Sequence, residues 1–137
     1  MAHLGRVAEN YRNTIIAGIV PSELVLPGGL IGRQRVARIS LAGIDHVAWR
    51  HPRDLIFCLH HMAAVLAAPQ YLGHRPGSDH RRVEFVRLVG RKQRELLVAV
   101  KFLDDLDEAW VSTAHRTRAE YLTRRLRAGT MQIVRGS

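Results

Sequence analysis

The clearest helical pattern in the chain runs from Pro52 to Ala67, where apolar side chains recur every three or four residues. A shorter helical turn is predicted to begin after an N-cap at Asp45. It must end by His51, because Pro52 disfavours helical backbone in the residue before it. Proline is well suited to the first turn of the next helix. The apolar stripe of the long helix is predicted to contain Leu55, Leu59, Met62 and Leu66.

Apolar and alternating runs in the second half of the chain predict three strands, at 83–89, 95–103 and 110–115. Short turns join them, so an antiparallel three-stranded meander is expected. On the middle strand, alternation sends Lys101 and the small Ala99 to the face away from the helices, which leaves room for a ligand beside the ammonium group. On the third strand, Val111, Thr113 and His115 are expected to share one face.

The remaining segments are less regular. Residues 4–19 have helical spacing, although a strand around 14–16 is the alternative. Proline and glycine break residues 21–32 into loop, and a short strand is predicted at 36–41. A basic helix is predicted at 117–128, ended by Gly129, with an edge strand at 131–134.

These elements predict an α+β fold in one domain, residues 1–137. N-terminal helices would pack on one face of a small antiparallel sheet, the meander plus one or two short strands, with the basic helix at the C-terminal end. An N-terminal helix and Gly/Pro-rich loop (1–35) would precede a core (36–128), and a tail (129–137) would follow it.

Charge points to an anionic partner. The net charge is +9, and all 21 basic residues except Lys92 and Lys101 are arginines. The arginine fork matches phosphate oxygens, so nucleic acid is the first candidate. A GC-rich coding sequence would explain arginine in place of lysine, but it would not explain the excess of positive charge.

Other classes of site are disfavoured. Cys58 is the single cysteine, in an apolar run, so it is expected to be a buried, inert thiol. The eight histidines show no compact metal-ligand spacing, and neither a metal nor another cofactor is expected. There is no recognisable signal peptide and no apolar run of membrane-spanning length, so a cytoplasmic protein without membrane contact is expected.

The segment 45–52 is the best candidate for chemistry. His46 and Arg50 are four residues apart and face the same way on a helical turn, and His51 lies at the helix break. Titratable imidazoles beside a fixed guanidinium suit chemistry on a phosphate. The alternative is a pair of ordinary histidines at a helix end. The basic helix also has two possible roles: its arginines either contact phosphate or form a solvated surface.

The order of these motifs resembles that of the barnase–EndoU–colicin–RelE-like (BECR) nucleases, especially their phage-associated branch. The resemblance covers about residues 36–118. BrnT-type toxins, with a similar fold, are a close alternative. His115 stands where the family usually has tyrosine, so this residue is either a proton carrier or a phosphate contact. The matching segments are 39–41, His46-Val47-Ala48-Trp49-Arg50-His51-Pro52, 67–72, 96–101 and Trp110-Val111-Ser112-Thr113-Ala114-His115.

The resemblance implies a toxin-type endoribonuclease that cleaves RNA without a metal, by attack of the ribose 2′-hydroxyl on the adjacent phosphate. His51 and His46 would be the acid and base, with His115 as an alternate. Thr113 would orient the phosphate, and Lys101 would stabilise its charge. An antitoxin or immunity protein would be the partner besides RNA. The arginines expected to bind phosphate are Arg50, Arg87, Arg116, Arg118, Arg124 and Arg125.

Two other functions fit the same sequence. A non-catalytic nucleic-acid-binding module would have the same basic charge and would bind RNA without cutting it. A phage- or secretion-associated interaction domain would use its basic face to bind an acidic protein.

Overall fold

The computed structural model describes residues 13–29, 32–75, 77–103 and 107–134. Within these residues the chain forms three α-helices, seven β-strands and one 3₁₀ turn at Pro27–Gly29. The helices are α1 (Leu41–Arg50), α2 (Leu55–Ala67) and α3 (Ala119–Arg127). The strands are β1 (Thr14–Val20), β2 (Arg35–Ser40), β3 (Tyr71–Gly73), β4 (Arg82–Val89), β5 (Arg94–Phe102), β6 (Glu108–Arg116) and β7 (Met131–Ile133).

All seven strands belong to one mixed sheet, in the order β1-β2-β6-β5-β4-β3-β7. Neighbouring strands are antiparallel except β2 and β6, which pair in parallel. The α+β class is thus confirmed, but the sheet is larger than predicted and is not purely antiparallel. The parallel pair arises because α1 and α2 carry the chain away from β2 before it returns, so β6 joins β2 as the last strand of the β4–β6 run.

The predicted helix at 4–19 is wrong where it overlaps β1, and residues 1–12 lie outside the described part of the chain. A register shift between Ile16 and Gly18 interrupts the two-residue alternation of this strand. The two adjacent isoleucines, Ile15 and Ile16, are therefore exposed together, and the next two residues are buried together. This broken alternation imitates helical spacing, whereas the β-branched composition favours the strand.

Helix α1 begins four residues before the predicted Asp45 cap. Ser40 is the N-cap, and its hydroxyl accepts a hydrogen bond from the Gly43 backbone N–H at 2.9 Å. A Cβ at Gly43 would lie 3.0 Å from the Ile39 side chain. Glycine at this position therefore allows the first helical turn to pack closely on β2.

Helix α2 begins at Leu55, after a turn at 52–54, rather than at Pro52. Its buried face contains Cys58, Met62, Val65 and Leu66, so the predicted stripe is rotated, and Leu59 is 37% exposed. Cys58 is buried as expected, and burial raises the pKa of its thiol to about 12.

The sheet is covered on both faces. On one face, α1 and α2 pack over the larger apolar core, which includes Phe85, Val98 and Phe102. On the other face, Leu122 of α3 packs in a smaller cluster with Leu97 and Ala99 of β5. Among the described residues, no helix is long and apolar enough to cross a membrane.

Candidate active site

An open cleft of about 720 Å³ lies where the C-terminal ends of α1 and β6 meet the first turns of α3. Helix α1 contributes one wall, and α3 contributes the facing wall. The cleft brings together most of the residues predicted for the site from separate parts of the chain. Those that line it are His46, Arg50, His51, Thr113, His115, Arg116, Arg118 and Arg124.

Two histidines stack in this cleft. The ring centroids of His51 and His115 are 4.7 Å apart, and the ring planes differ by 28°. His51 is the C-cap of α1 with non-helical backbone (φ −136°, ψ 60°), because the helix stops before Pro52. His115 lies near the end of β6. The helix break and the strand end thus place two proton-carrying side chains in ring contact.

His51 favours its neutral form. Burial lowers the pKa of this imidazole below its ordinary value of 6.5, and the neighbouring His115 ring lowers it further. The Asp54 carboxylate acts in the opposite direction and raises it. Two stacked imidazolium ions would repel each other, so the His115 ring disfavours the charged form of His51.

A backbone contact orients His115. Its Nδ1 lies 2.9 Å from the carbonyl oxygen of Arg116. A carbonyl oxygen only accepts, so this hydrogen bond forms when Nδ1 carries the proton. Nε2 is then the ring nitrogen that can exchange a proton with a ligand in the cleft.

Asp54 ties the helix break to the strand end, and sequence reasoning missed it. Its carboxylate accepts hydrogen bonds from the backbone N–H of Arg116 at 3.1 Å and from the Arg116 Nε at 2.9 Å. The Asp54 side chain is only 14% exposed. This bidentate link joins the turn that follows His51 to the residue that follows His115. The signal in the sequence was the acidic residue two positions after Pro52, but nothing local indicated its partner.

A bulge in β6 sets which side chains face the cleft. The register with β5 shifts between Ala99 and Val100, so Ser112 is the extra residue. Thr113 and His115 line the cleft, whereas Val111 is buried in the larger core on the other face. The expectation that Val111 shares their face is therefore wrong. Ser112 also lines the cleft, and its hydroxyl donates to the Ala99 carbonyl at 3.2 Å.

The cleft is more basic than expected. Arg75 from the loop after β3 and Arg82 from the start of β4 also line it, beside Glu84 and Glu120. Arg82 of β4 lies opposite Lys101 of β5 in the strand register. Alternation along β4 could have placed Arg82 and Glu84 on one face, but only the folded sheet shows that this face borders the cleft.

Three residues predicted for the site do not line the cleft. The ammonium of Lys101 is 3.2 Å from the Asp79 carboxylate. Arg87 lies on the α2 side of β4 and donates to the Ala68 carbonyl at 2.6 Å. Arg125 is 9% exposed, lies 2.7 Å from the Glu84 carboxylate and donates to the Tyr121 hydroxyl at 2.6 Å. These contacts inside the protein occupy all three cations.

In the described ranges, no three residues among the His, Cys, Asp and Glu side chains come together as a group able to hold a metal ion. Comparisons with protein-family models, with curated proteins and with solved structures found no match.

Proposed function

We propose that the chain is a metal-independent endoribonuclease. The observation that carries the proposal is the stacked pair of His51 and His115 inside a cleft lined by arginines. Transesterification of RNA needs a base, an acid and cations around one phosphate, and this cleft supplies all three.

In the proposed reaction, neutral His51 takes the proton from a ribose 2′-hydroxyl. The 2′-oxygen forms a bond to phosphorus, and the bond from phosphorus to the 5′-oxygen breaks. Protonated His115 gives its Nε2 proton to the departing 5′-oxygen. The products are a 2′,3′-cyclic phosphate and a 5′-hydroxyl, and the pair has exchanged one proton overall.

The pairing of His51 with His115 departs from the predicted pair of His51 and His46. The lowered pKa of His51 suits a base, and the ring contact favours His115 as its partner. His46 is exposed on the α1 wall and is assigned to substrate binding. Arg116, held by Asp54, is best placed to stabilise the charge on the phosphate, and Thr113 lies beside it as a hydrogen-bond donor.

The proposal agrees with what the BECR resemblance implies, but it is argued from the cleft alone. Under this proposal β4, β5 and β6 are the family's meander, and α3 is its basic helix. An antitoxin or immunity protein that covers the cleft stays a prediction.

The experiment is cleavage of end-labelled tRNA and mRNA by purified protein in excess EDTA. Wild type should produce discrete cuts that end in 2′,3′-cyclic phosphate. His51→Ala and His115→Ala should each lower the rate by about 100-fold or more. His60→Ala is the matched control, because His60 is an exposed histidine of α2 outside the cleft, and it should cleave like wild type.

Intact RNA over a wide range of enzyme concentration would contradict the proposal, as would a His51→Ala variant with wild-type activity. If such a protein still retains RNA in a salt-sensitive complex, the arginines of the cleft favour the second candidate function, a non-catalytic nucleic-acid-binding module.

A further inference from the structure

Trp49 is an aromatic side chain that the fold leaves in solvent. It is 76% exposed, although tryptophan usually buries most of its large apolar surface. Among the described Phe, Tyr and Trp residues, no other is exposed. The packing of α1 does not need this side chain, since the helix buries Val47 on the opposite side.

Trp49 stands at the edge of the cleft. It lies one position before Arg50 and three after His46 on α1, and both of those residues line the cleft. The Arg50 guanidinium is 5.8 Å from the centroid of the indole ring. A flat apolar surface and a phosphate-binding group therefore occupy one end of the α1 wall.

The other aromatic ring of the cleft is not available in the same way. Tyr121 packs against the smaller core, and its hydroxyl accepts a hydrogen bond from Arg125. The guanidinium groups of Arg124 and Arg125 lie 6.0 and 5.5 Å from its ring centroid. Tyr121 is therefore partly buried and its hydroxyl is bound by Arg125, whereas the indole of Trp49 is largely exposed.

We infer that Trp49 is a stacking platform for an unpaired nucleobase, and that the cleft takes single-stranded RNA. This inference rests on the proposed function for the identity of the ligand. An exposed aromatic ring beside a basic groove is the combination that binds single strands, because every base offers a π-face and every linkage a phosphate. Bases in a duplex are stacked on one another and cannot offer that face to an indole at the rim.

The test is binding of uncleavable single strands, which separates this inference from catalysis. The probes are a fluorescent 2′-deoxy oligonucleotide, the same strand with abasic sites, and its duplex. Trp49→Leu should weaken binding of the base-bearing single strand by about 5- to 100-fold. The same variant should bind the abasic strand and the duplex as wild type does, since their phosphate contacts remain.

Two further variants complete the design. Trp49→Phe keeps an aromatic face and should stay within about 3-fold of wild type. Val25→Ala removes an 86% exposed apolar side chain outside the cleft and should have no effect. Wild-type binding by Trp49→Leu, or equal losses on the base-bearing and abasic strands, would overturn the inference. A selective loss in a protein that cuts no RNA would leave the inference standing and refute the nuclease proposal.

Discussion

Arg116, which lines the cleft, and Arg125, which does not, show how differently one residue type is used. Arg125 is nearly buried and lies against Glu84, Tyr121 and Thr130. Arg116 is held by Asp54 through Nε, and its side chain is 37% exposed. In the described part of the chain, the terminal nitrogens of Arg116 have no hydrogen-bond partner.

The two arginines differ in how many guanidinium nitrogens remain without a partner after the contact with the carboxylate. The network around Arg125 closes inside the protein, so this charge holds α3 on the sheet and offers nothing to a ligand. Asp54 binds Arg116 through Nε and the backbone N–H, so the two terminal nitrogens remain available for the phosphate contact that we propose. We therefore expect the pair of Arg125 with Glu84 to serve stability, and the pair of Arg116 with Asp54 to serve the proposed binding of phosphate.

The largest effect on stability should follow from breaking the pair of Arg125 with Glu84. Arg125→Met leaves the Glu84 carboxylate buried without its cation, since Glu84 is only 3% exposed. We expect the free energy of unfolding to fall by about 3–5 kcal/mol, measured by urea denaturation. The double variant Glu84→Gln with Arg125→Met should recover much of the loss. A stability loss under about 1 kcal/mol in the single variant would show that the pair is not structural.

Breaking the pair of Arg116 with Asp54 should have a smaller effect, which concerns activity more than stability. Asp54→Asn removes the charge that orients Arg116, and we expect cleavage to fall about 10-fold. The loss of stability should be about 1 kcal/mol, because Arg116 is 37% exposed and the pair is only partly buried. The pH dependence of cleavage separates the loss of the Asp54 charge from general damage to the site. Since the pKa of His51 lies below 6.5 and the base must be neutral, wild-type activity should fall only as pH drops below 6.5.

Asp54 raises the pKa of His51, so its removal should shift that acid limb to still lower pH. The measurement is kcat/KM against pH for both proteins. An unchanged acid limb in Asp54→Asn, or one displaced to higher pH, would contradict the assigned effect of the Asp54 charge on His51.

The same contrast shows what sequence could and could not predict. Local patterns found β4, β5, β6 and α2 to within a few residues, and the break at His51, because alternation, helical spacing and proline act over short distances. They failed at β1, where a bulge disturbed the period, and at the start of α1, where Ser40 rather than Asp45 caps the helix.

For the site, residue type and local spacing predicted His51, and the family resemblance added Arg116 and His115; all three line the cleft. Sequence could not separate Arg116 from Arg125, because the carboxylates that decide their roles are far away in the chain. Asp54 is 62 residues from Arg116, and the stacking of His51 on His115 depends on the same long-range approach. Such contacts follow from strand order, and the parallel pairing of β2 with β6 was not predicted.

The smallest effect concerns the arginines on the α3 side of the cleft. Arg118 and Arg124 are exposed and line the cleft, so each should contact about one phosphate of a bound strand. Replacing either with alanine should reduce the slope of log affinity against log salt concentration by about 0.7 for single-stranded RNA. Arg94→Ala is the matched control, because Arg94 is exposed at the start of β5 outside the cleft and should leave the slope unchanged. Arg87→Ala should behave like this control, since its guanidinium is bound to a carbonyl on the α2 side. If all four variants reduced the salt slope equally, RNA binding would depend on the net charge of the protein. This result would contradict the assignment of the cleft as the binding site.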